Sequence, residues 1–92
     1  MFYSVFITEE AKLNLQETAD YFLNISVDLN QRFENDLEQC VKYLKRTPLI
    51  YQIRYKKIRI AYLSNFPFGV HFIIEGGNIY ILKILHTKRF YK

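Results

Sequence analysis

Six side chains in the second half of the chain are of the types that phosphate chemistry uses. His71 and His86 are the histidines, the side chains whose ordinary pKa suits proton transfer near neutral pH. His86 opens a basic and aromatic terminus, His86-Thr87-Lys88-Arg89-Phe90-Tyr91-Lys92. Arg59 and Arg89 carry the planar fork that grips a phosphate bidentately. Tyr91 offers a ring on which a base can stack. Lys83 stands in an otherwise apolar run from Ile79 to Leu85. Such a set can in principle move a proton and hold the charge that builds on a phosphorane.

Each of these residues also has a plain structural reading. His86 ends the last apolar run on the core-side parity and can tie down the tail through a backbone bond. His71 sits between Val70 and Phe72 and reads as a partly buried filler. Arg59 alternates outward between Ile58 and Ile60, as a surface charge would. Phe90 and Tyr91 can simply anchor the terminus. Lys83 on an apolar face is harder to dismiss and is expected to touch a partner or target. Other chemistries find no support. The one cysteine, Cys40, falls on a helix's apolar face, no Gly-x-Ser-x-Gly elbow occurs, and there is no zinc-finger spacing, phosphate-binding glycine loop or basic heptad.

Those side chains must be positioned by a small fold. The chain has 92 residues, half of them hydrophobic, with eight Tyr, eight Phe, three Gly and two Pro. That excludes a disordered or collagenous chain, and no uncharged apolar run is long enough to span a bilayer. The N-terminus lacks the pattern of a secretory signal, so a cytoplasmic location is expected. A domain this small without disulfides suggests stability borrowed from a partner. Charge is uneven. Residues 1–40 hold Lys12 and Arg32 against eight acids, a net charge of −6. Residues 41–92 hold eleven Lys and Arg against Glu75 alone, a net charge of +10. Such asymmetry points to a polyanion or an acidic protein as partner.

Residues 2–7 are aromatic and β-branched and read as a strand. Thr8, followed by Glu9 and Glu10, caps a helix whose inner face is Ala11, Leu15, Ala19 and Phe22, widened by Leu13 and Leu23, ending near Asn24. Ser26 caps a second helix with Leu29, Phe33, Leu37, Cys40, Val41 and Leu44 on one face. It runs to about Arg46 and is stopped by Pro48. One or two residues between the helices make an antiparallel αα-hairpin. The period then becomes 2. Runs centred on Lys57–Leu63, Phe68–Ile74 and Ile79–Leu85 read as a meander, the last two joined by a hairpin at Gly76-Gly77. Strict alternation along the last run puts Ile79, Ile81, Lys83 and Leu85 on one face. No linker or repeat is visible, so residues 1–92 are expected to form a single domain. The expected class is α+β, in the order β-α-α-β-β-β, with the helix hairpin packed on a small antiparallel sheet whose reverse face stays open and basic.

In this order the chain resembles the RelE/ParE superfamily of type II toxins, the plasmid-stabilisation proteins. The likeness rests on Ile7-Thr8-Glu9-Glu10-Ala11 with Leu15 and Tyr21-Phe22, on Arg32-Phe33 and Leu37, and on Thr47-Pro48. It continues through Lys57-Ile58-Arg59, Phe66-Pro67-Phe68 and the closing Leu85-His86-x-x-Arg89, covering nearly the whole chain. The resemblance implies a growth-inhibiting toxin held in check by a cognate antitoxin, whose extended segment wraps it. The ParE branch acts on DNA gyrase by binding. The RelE branch is an mRNA interferase that cuts mRNA on the ribosome without a metal. For a nuclease, His86, Arg89, Arg59 and Tyr91 are the candidate catalytic residues. For target or antitoxin binding, the candidates are Lys56, Lys57, Arg59, Lys83, Lys88 and Arg89. No metal or other cofactor is implied. Where many relatives have an aromatic-Tyr-Arg in the third strand, this chain has Phe72-Ile73. The missing hydroxyl and guanidinium favour the ParE branch, a gyrase or topoisomerase inhibitor, over a ribosome-dependent endonuclease. A degenerate member that binds only its antitoxin is the remaining alternative. A homodimer or a heterotetramer with the antitoxin is a possible assembly, and no membrane partner is expected.

Overall fold

In the computed structural model, residues 3–88 are described. Arg89, Phe90, Tyr91 and Lys92, and the start of the expected first strand, lie outside the described residues. The elements are β1 (Ser4–Ile7), α1 (Glu9–Leu23), α2 (Val27–Arg46), a single 3-10 turn (Pro48–Ile50), β2 (Ile53–Tyr55), β3 (Ile58–Tyr62), β4 (Phe68–Glu75) and β5 (Asn78–His86). The strands form one sheet in the order β1-β5-β4-β3-β2.

The helices start where their caps require. Thr8 accepts from the Ala11 amide at 3.3 Å and Ser26 from the Leu29 amide at 2.9 Å. Asp28 in the first turn of α2 and Lys45 and Arg46 in its last complement the helix dipole. Three residues, Asn24–Ser26, join the helices, rather than the one or two expected. The inner face of α1 is narrower than its sequence suggests. Ala11 and Phe22 are buried, whereas Leu13 and Leu23 are exposed. Leu13 follows Ala11 by two residues, about 200° around the helix, so it cannot share the inner stripe.

The expected antiparallel meander is present as β3-β4-β5, and the sheet as a whole is mixed where an antiparallel one was expected. β1 runs parallel to β5, with Val5 opposite Ile79 and Ile7 opposite Ile81, and the other pairs are antiparallel. β2 was not expected. It is three residues long and turns into β3 through Lys56-Lys57, where Lys56 has φ 52°. At the Gly76-Gly77 turn only Gly76 uses positive φ, at 62°. β5 contains a bulge. Phe72 faces Ile81 and His71 faces Lys83, so Leu82 has no partner opposite. The bulge shifts the parity of everything after it. Ile79, Ile81, Ile84 and His86 fall on the helix side, while Tyr80, Lys83 and Leu85 fall on the reverse side.

α1 seals the part of β5 that β1 does not reach. The Thr8 amide and hydroxyl donate to the Ile81 carbonyl at 3.1 and 3.0 Å, and the hydroxyl also lies 3.2 Å from the carbonyl of the bulged Leu82. Further along, the Ile84 amide donates to Asn14 Oδ1 at 3.0 Å.

Between helices and sheet lies an aromatic cluster. Phe33 sits 5.2 Å from both Phe22 and Phe68 and 5.5 Å from Phe66, ring centre to ring centre. Edge-to-face contacts of this kind add to simple burial. Phe66 belongs to the β3–β4 loop, and α2 holds that loop in place. The buried Asp36 carboxylate accepts from the amides of Asn65 and Phe66 at 2.9 and 3.0 Å and from the Asn65 side chain at 3.1 Å.

Loss of Asp36 leaves those amides without their acceptor. Asp36→Ala should cost about 2–3 kcal/mol, read as a lower urea midpoint at unchanged slope. Asp36→Asn keeps an acceptor and should cost less.

Candidate functional site

Among the described residues, His86 and Arg59, both proposed for chemistry, do not converge. Arg59 stands on the same rung as Phe72, which itself faces Ile81, on the helix side of the sheet. Its guanidinium Nη1 donates to the Tyr51 carbonyl, pinning the segment that leads into β2. The expectation that it points outward is therefore wrong. Both sheet faces are substantially covered at this strand, and the long aliphatic stem packs inward while the charge finds a carbonyl. His86 is also on the helix side, on the rung of Phe68. Four residues of β4 and two strand spacings separate the two rungs, roughly 16 Å, so His86 and Arg59 do not share one phosphate. The His86 ring packs against Phe68 at 5.3 Å, and its Nδ1 accepts from the Lys88 amide at 3.2 Å. That is the tail-fixing role its sequence position allowed.

Among the described residues the reverse face is apolar and aromatic more than basic. Phe6 stacks on Tyr80 at 5.4 Å, and Ile60 packs where Gly69 lacks a side chain. A Cβ at Gly69 would lie 2.9 Å from Ile60 and 3.4 Å from the Tyr62 ring. The Arg54 guanidinium lies 5.9 Å from the centre of the Tyr62 ring. Lys83 is on this face as anticipated, but across from His71 and not in line with Ile81. It is not a free cation, because its ammonium lies 3.8 Å from the Glu10 carboxylate at the start of α1. Lys56 and Lys57 occupy an exposed hairpin tip at the end of the sheet that also carries the Gly76-Gly77 turn. Lys88 lies at the opposite end. The described members of the expected cationic set are thus distributed over two faces and two ends. Arg89 and Tyr91 lie outside the described residues.

His71 is buried to 1% exposure and shares a 2.9 Å hydrogen bond with the Tyr55 hydroxyl through Nδ1. Burial, and then the nearby Lys83 charge, push its pKa down to about 4. It is a neutral tether between β4 and β2. Cys40 is equally unsuited to reaction, since burial and the Asp36 charge push its thiol up to about 11.

What the structure does assemble is a groove. An open hollow of roughly 670 Å³ lies between the end of α1, the β3–β4 loop and the end of β5. Tyr21, Phe22, Phe66, Pro67 and Phe68 give it an aromatic lining, with Glu17, Thr18, His86 and Lys88 around it. Tyr21 is 64% exposed. Sequence reading missed this site because its parts come from three separated segments. The Phe66-Pro67-Phe68 motif and His86 were noticed singly, and nothing local shows that the Asp36 clamp brings Phe66 to Phe22. A large exposed tyrosine beside buried aromatics is the composition of a contact surface.

Residues 5–91 match the family described as the ParE toxin of the type II toxin-antitoxin system parDE. The chain belongs to the ParE toxin family. Comparison with curated proteins gives no match. Among solved structures, one of the "Chromosomal ParDE TA system from P. aeruginosa" superposes with a TM-score of 0.78, covering 92% of this chain and 96% of that one at 22% identity. At that identity the likeness is one of fold. This ParE-family chain has no helix among its described residues that is long and apolar enough to cross a membrane.

The neutral state of His71 predicts a pH response. Its folded value of about 4 lies below the ordinary 6.5. Its contribution to stability is therefore present above pH 6.5 and is lost as pH falls through 4. Urea unfolding of the parent should lose about 2–3 kcal/mol more between pH 7 and pH 4 than that of His71→Gln.

Proposed function

We propose that this ParE-family toxin inhibits DNA gyrase, or a related topoisomerase, by binding it, and that a cognate antitoxin neutralises it. Family membership supports a toxin of a two-component system. The observation that carries the choice of binding over cleavage is the separation of His86 from Arg59. His86 uses Nδ1 to hold its own chain, and Arg59 is tied to Tyr51 two strands away. The paired proton donor and phosphate clamp that RNA cleavage needs are not assembled among the described residues.

The aromatic groove is the surface through which the toxin engages its target. Tyr21 is its exposed anchor and Lys88 its cation. Binding energy in such a surface concentrates in a few large side chains set in a well-packed surround. The Asp36 clamp and the Phe22–Phe33–Phe66–Phe68 cluster supply that surround.

Purified toxin should block gyrase supercoiling while leaving mRNA intact in a coupled translation reaction. Tyr21→Glu places a charge in the groove and should weaken the block by about tenfold or more with little change in stability. Codon-positioned mRNA cuts with unimpaired supercoiling would overturn the reading in favour of the nuclease branch.

A further inference from the structure

We propose, on the reading that this toxin binds a topoisomerase, that the end of the molecule opposite the aromatic groove contacts the duplex DNA on which that enzyme works. Arg46, Arg54, Lys56 and Lys57 make the contact.

From Gln39 to Ile74 the chain carries seven Lys and Arg and neither Asp nor Glu. Lys42 and Lys45 line the flank of α2 that faces Val5 of β1, and Arg59 is turned inward to Tyr51. The other four gather at one end and edge of the sheet. The Tyr3 amide donates to the Lys45 carbonyl and the Ser4 amide to the Gly77 carbonyl. These bonds set the end of α2 at the same end of the sheet as the Gly76-Gly77 turn, where the Lys56-Lys57 turn also lies. The Tyr43 and Tyr51 rings are 6.4 Å apart, which brings the end of α2 beside the entry to β2. Arg46 follows Tyr43 by three residues and shares its flank of the helix. Arg54 is on β2, the last strand on this side of the sheet.

All four cations are exposed. The ion pairs among the described residues are Lys12–Glu9, Arg32–Asp28 and Lys83–Glu10, so none of the four is in one. Glu75, the acid at this end by the β3–β4 register, pairs with neither lysine. Gly76 and Gly77 put no side chain in the way of a broad partner.

Two ordinary roles explain part of this set. The helix dipole favours Arg46 at the end of α2, and a charge such as Arg54 keeps an edge strand from pairing with another chain. Neither explains the lysines of the turn. Lys56 has φ 52°, a left-handed conformation that Gly or Asn adopts with less strain. A turn kept for its geometry alone is better served by either of those, whereas a lysine there presents a cation at the tip. Unpaired cations on rigid elements, without an intervening acid, suit the uniform negative charge of a duplex better than the mixed charges of a protein surface. The groove and this end would then hold enzyme and DNA at once, each contact strengthening the other.

The test measures binding of the intact toxin to gyrase, to a free duplex, and to gyrase with that duplex. The duplex should tighten binding to gyrase about threefold or more, and free-duplex affinity should fall with salt with a logarithmic slope of about −3 to −4. Lys56→Asn with Lys57→Gln should make that slope shallower by about 2 and remove most of the gain from the duplex, with binding to gyrase alone unchanged. The same charge loss in Lys12→Gln with Arg32→Gln should alter neither. Lys56→Asn by itself should keep or raise the urea midpoint while still lowering the slope, a result that a merely structural lysine would not give. A parent indifferent to the duplex, or equal effects of the two double variants, would overturn the inference and leave the gyrase reading intact. Loss of binding to gyrase alone in the Lys56 and Lys57 double variant would assign this end to an acidic protein surface and also overturn it. A parent that binds gyrase neither with nor without the duplex would overturn both.

Discussion

The arrangement of this molecule depends on a seam between one helix and one strand. β5 is nine residues long, whereas β1 pairs with only four of them, Asn78 to Ile81. Beyond Ile81 this strand would have a bare edge. α1 closes it with side chains in place of a strand. The Thr8 hydroxyl caps the helix and bonds the carbonyls at the bulge, and Asn14 takes the amide of Ile84. One short residue thus sets where α1 begins and satisfies the carbonyl that the bulge leaves unpaired. The position of Glu10 beside Lys83 follows, because the first turn of α1 stands over that edge.

Much of this was legible in the sequence wherever a feature was local. The stripe from Leu29 to Leu44, the caps at Thr8 and Ser26 and the stop at Pro48 each have a physical signature within a few residues. Features that depend on a distant partner left little trace. β2 is three residues between a 3-10 turn and a lysine turn, with no glycine or asparagine to mark it. The parallel pairing of β1 with β5 spans more than seventy residues. The bulge at Leu82 has no glycine or proline beside it, so counting by twos carried Lys83 onto the side of Ile81 when it belongs with Tyr80. Arg59 was misplaced for a different reason. Polarity was taken to mean outward, but a guanidinium can turn inward when a carbonyl such as that of Tyr51 receives it.

The charge asymmetry also takes physical form. The acidic residues of the first forty positions are carried by the two helices, while the described cations of the remainder are split between the end of α2, the β2–β3 hairpin, Lys83 within β5 and Lys88 just past its end. Among the described residues no single basic face results. The polarity is distributed at ends and rims, where it is solvated and costs little, and where it orients contacts more than it strengthens them. On the proposed reading, binding energy resides instead in the apolar groove, above all in Tyr21, Phe66 and Pro67.

The two histidines are held in different settings. His71 is neutral because it is buried and faces Lys83, and its ring nitrogen is engaged with Tyr55. His86 is nearer solvent, but it is three residues past Lys83 on an extended strand, which puts the two side chains on opposite faces of the sheet. A phosphate held by Lys83 could not receive a proton from His86, and one at His86 lies roughly 16 Å from the rung of Arg59. Bringing any of these pairs together would require β5 to slip in register, breaking the Thr8 and Asn14 bonds that close its edge. The same contacts that complete the sheet therefore keep Lys83 and Arg59 away from His86.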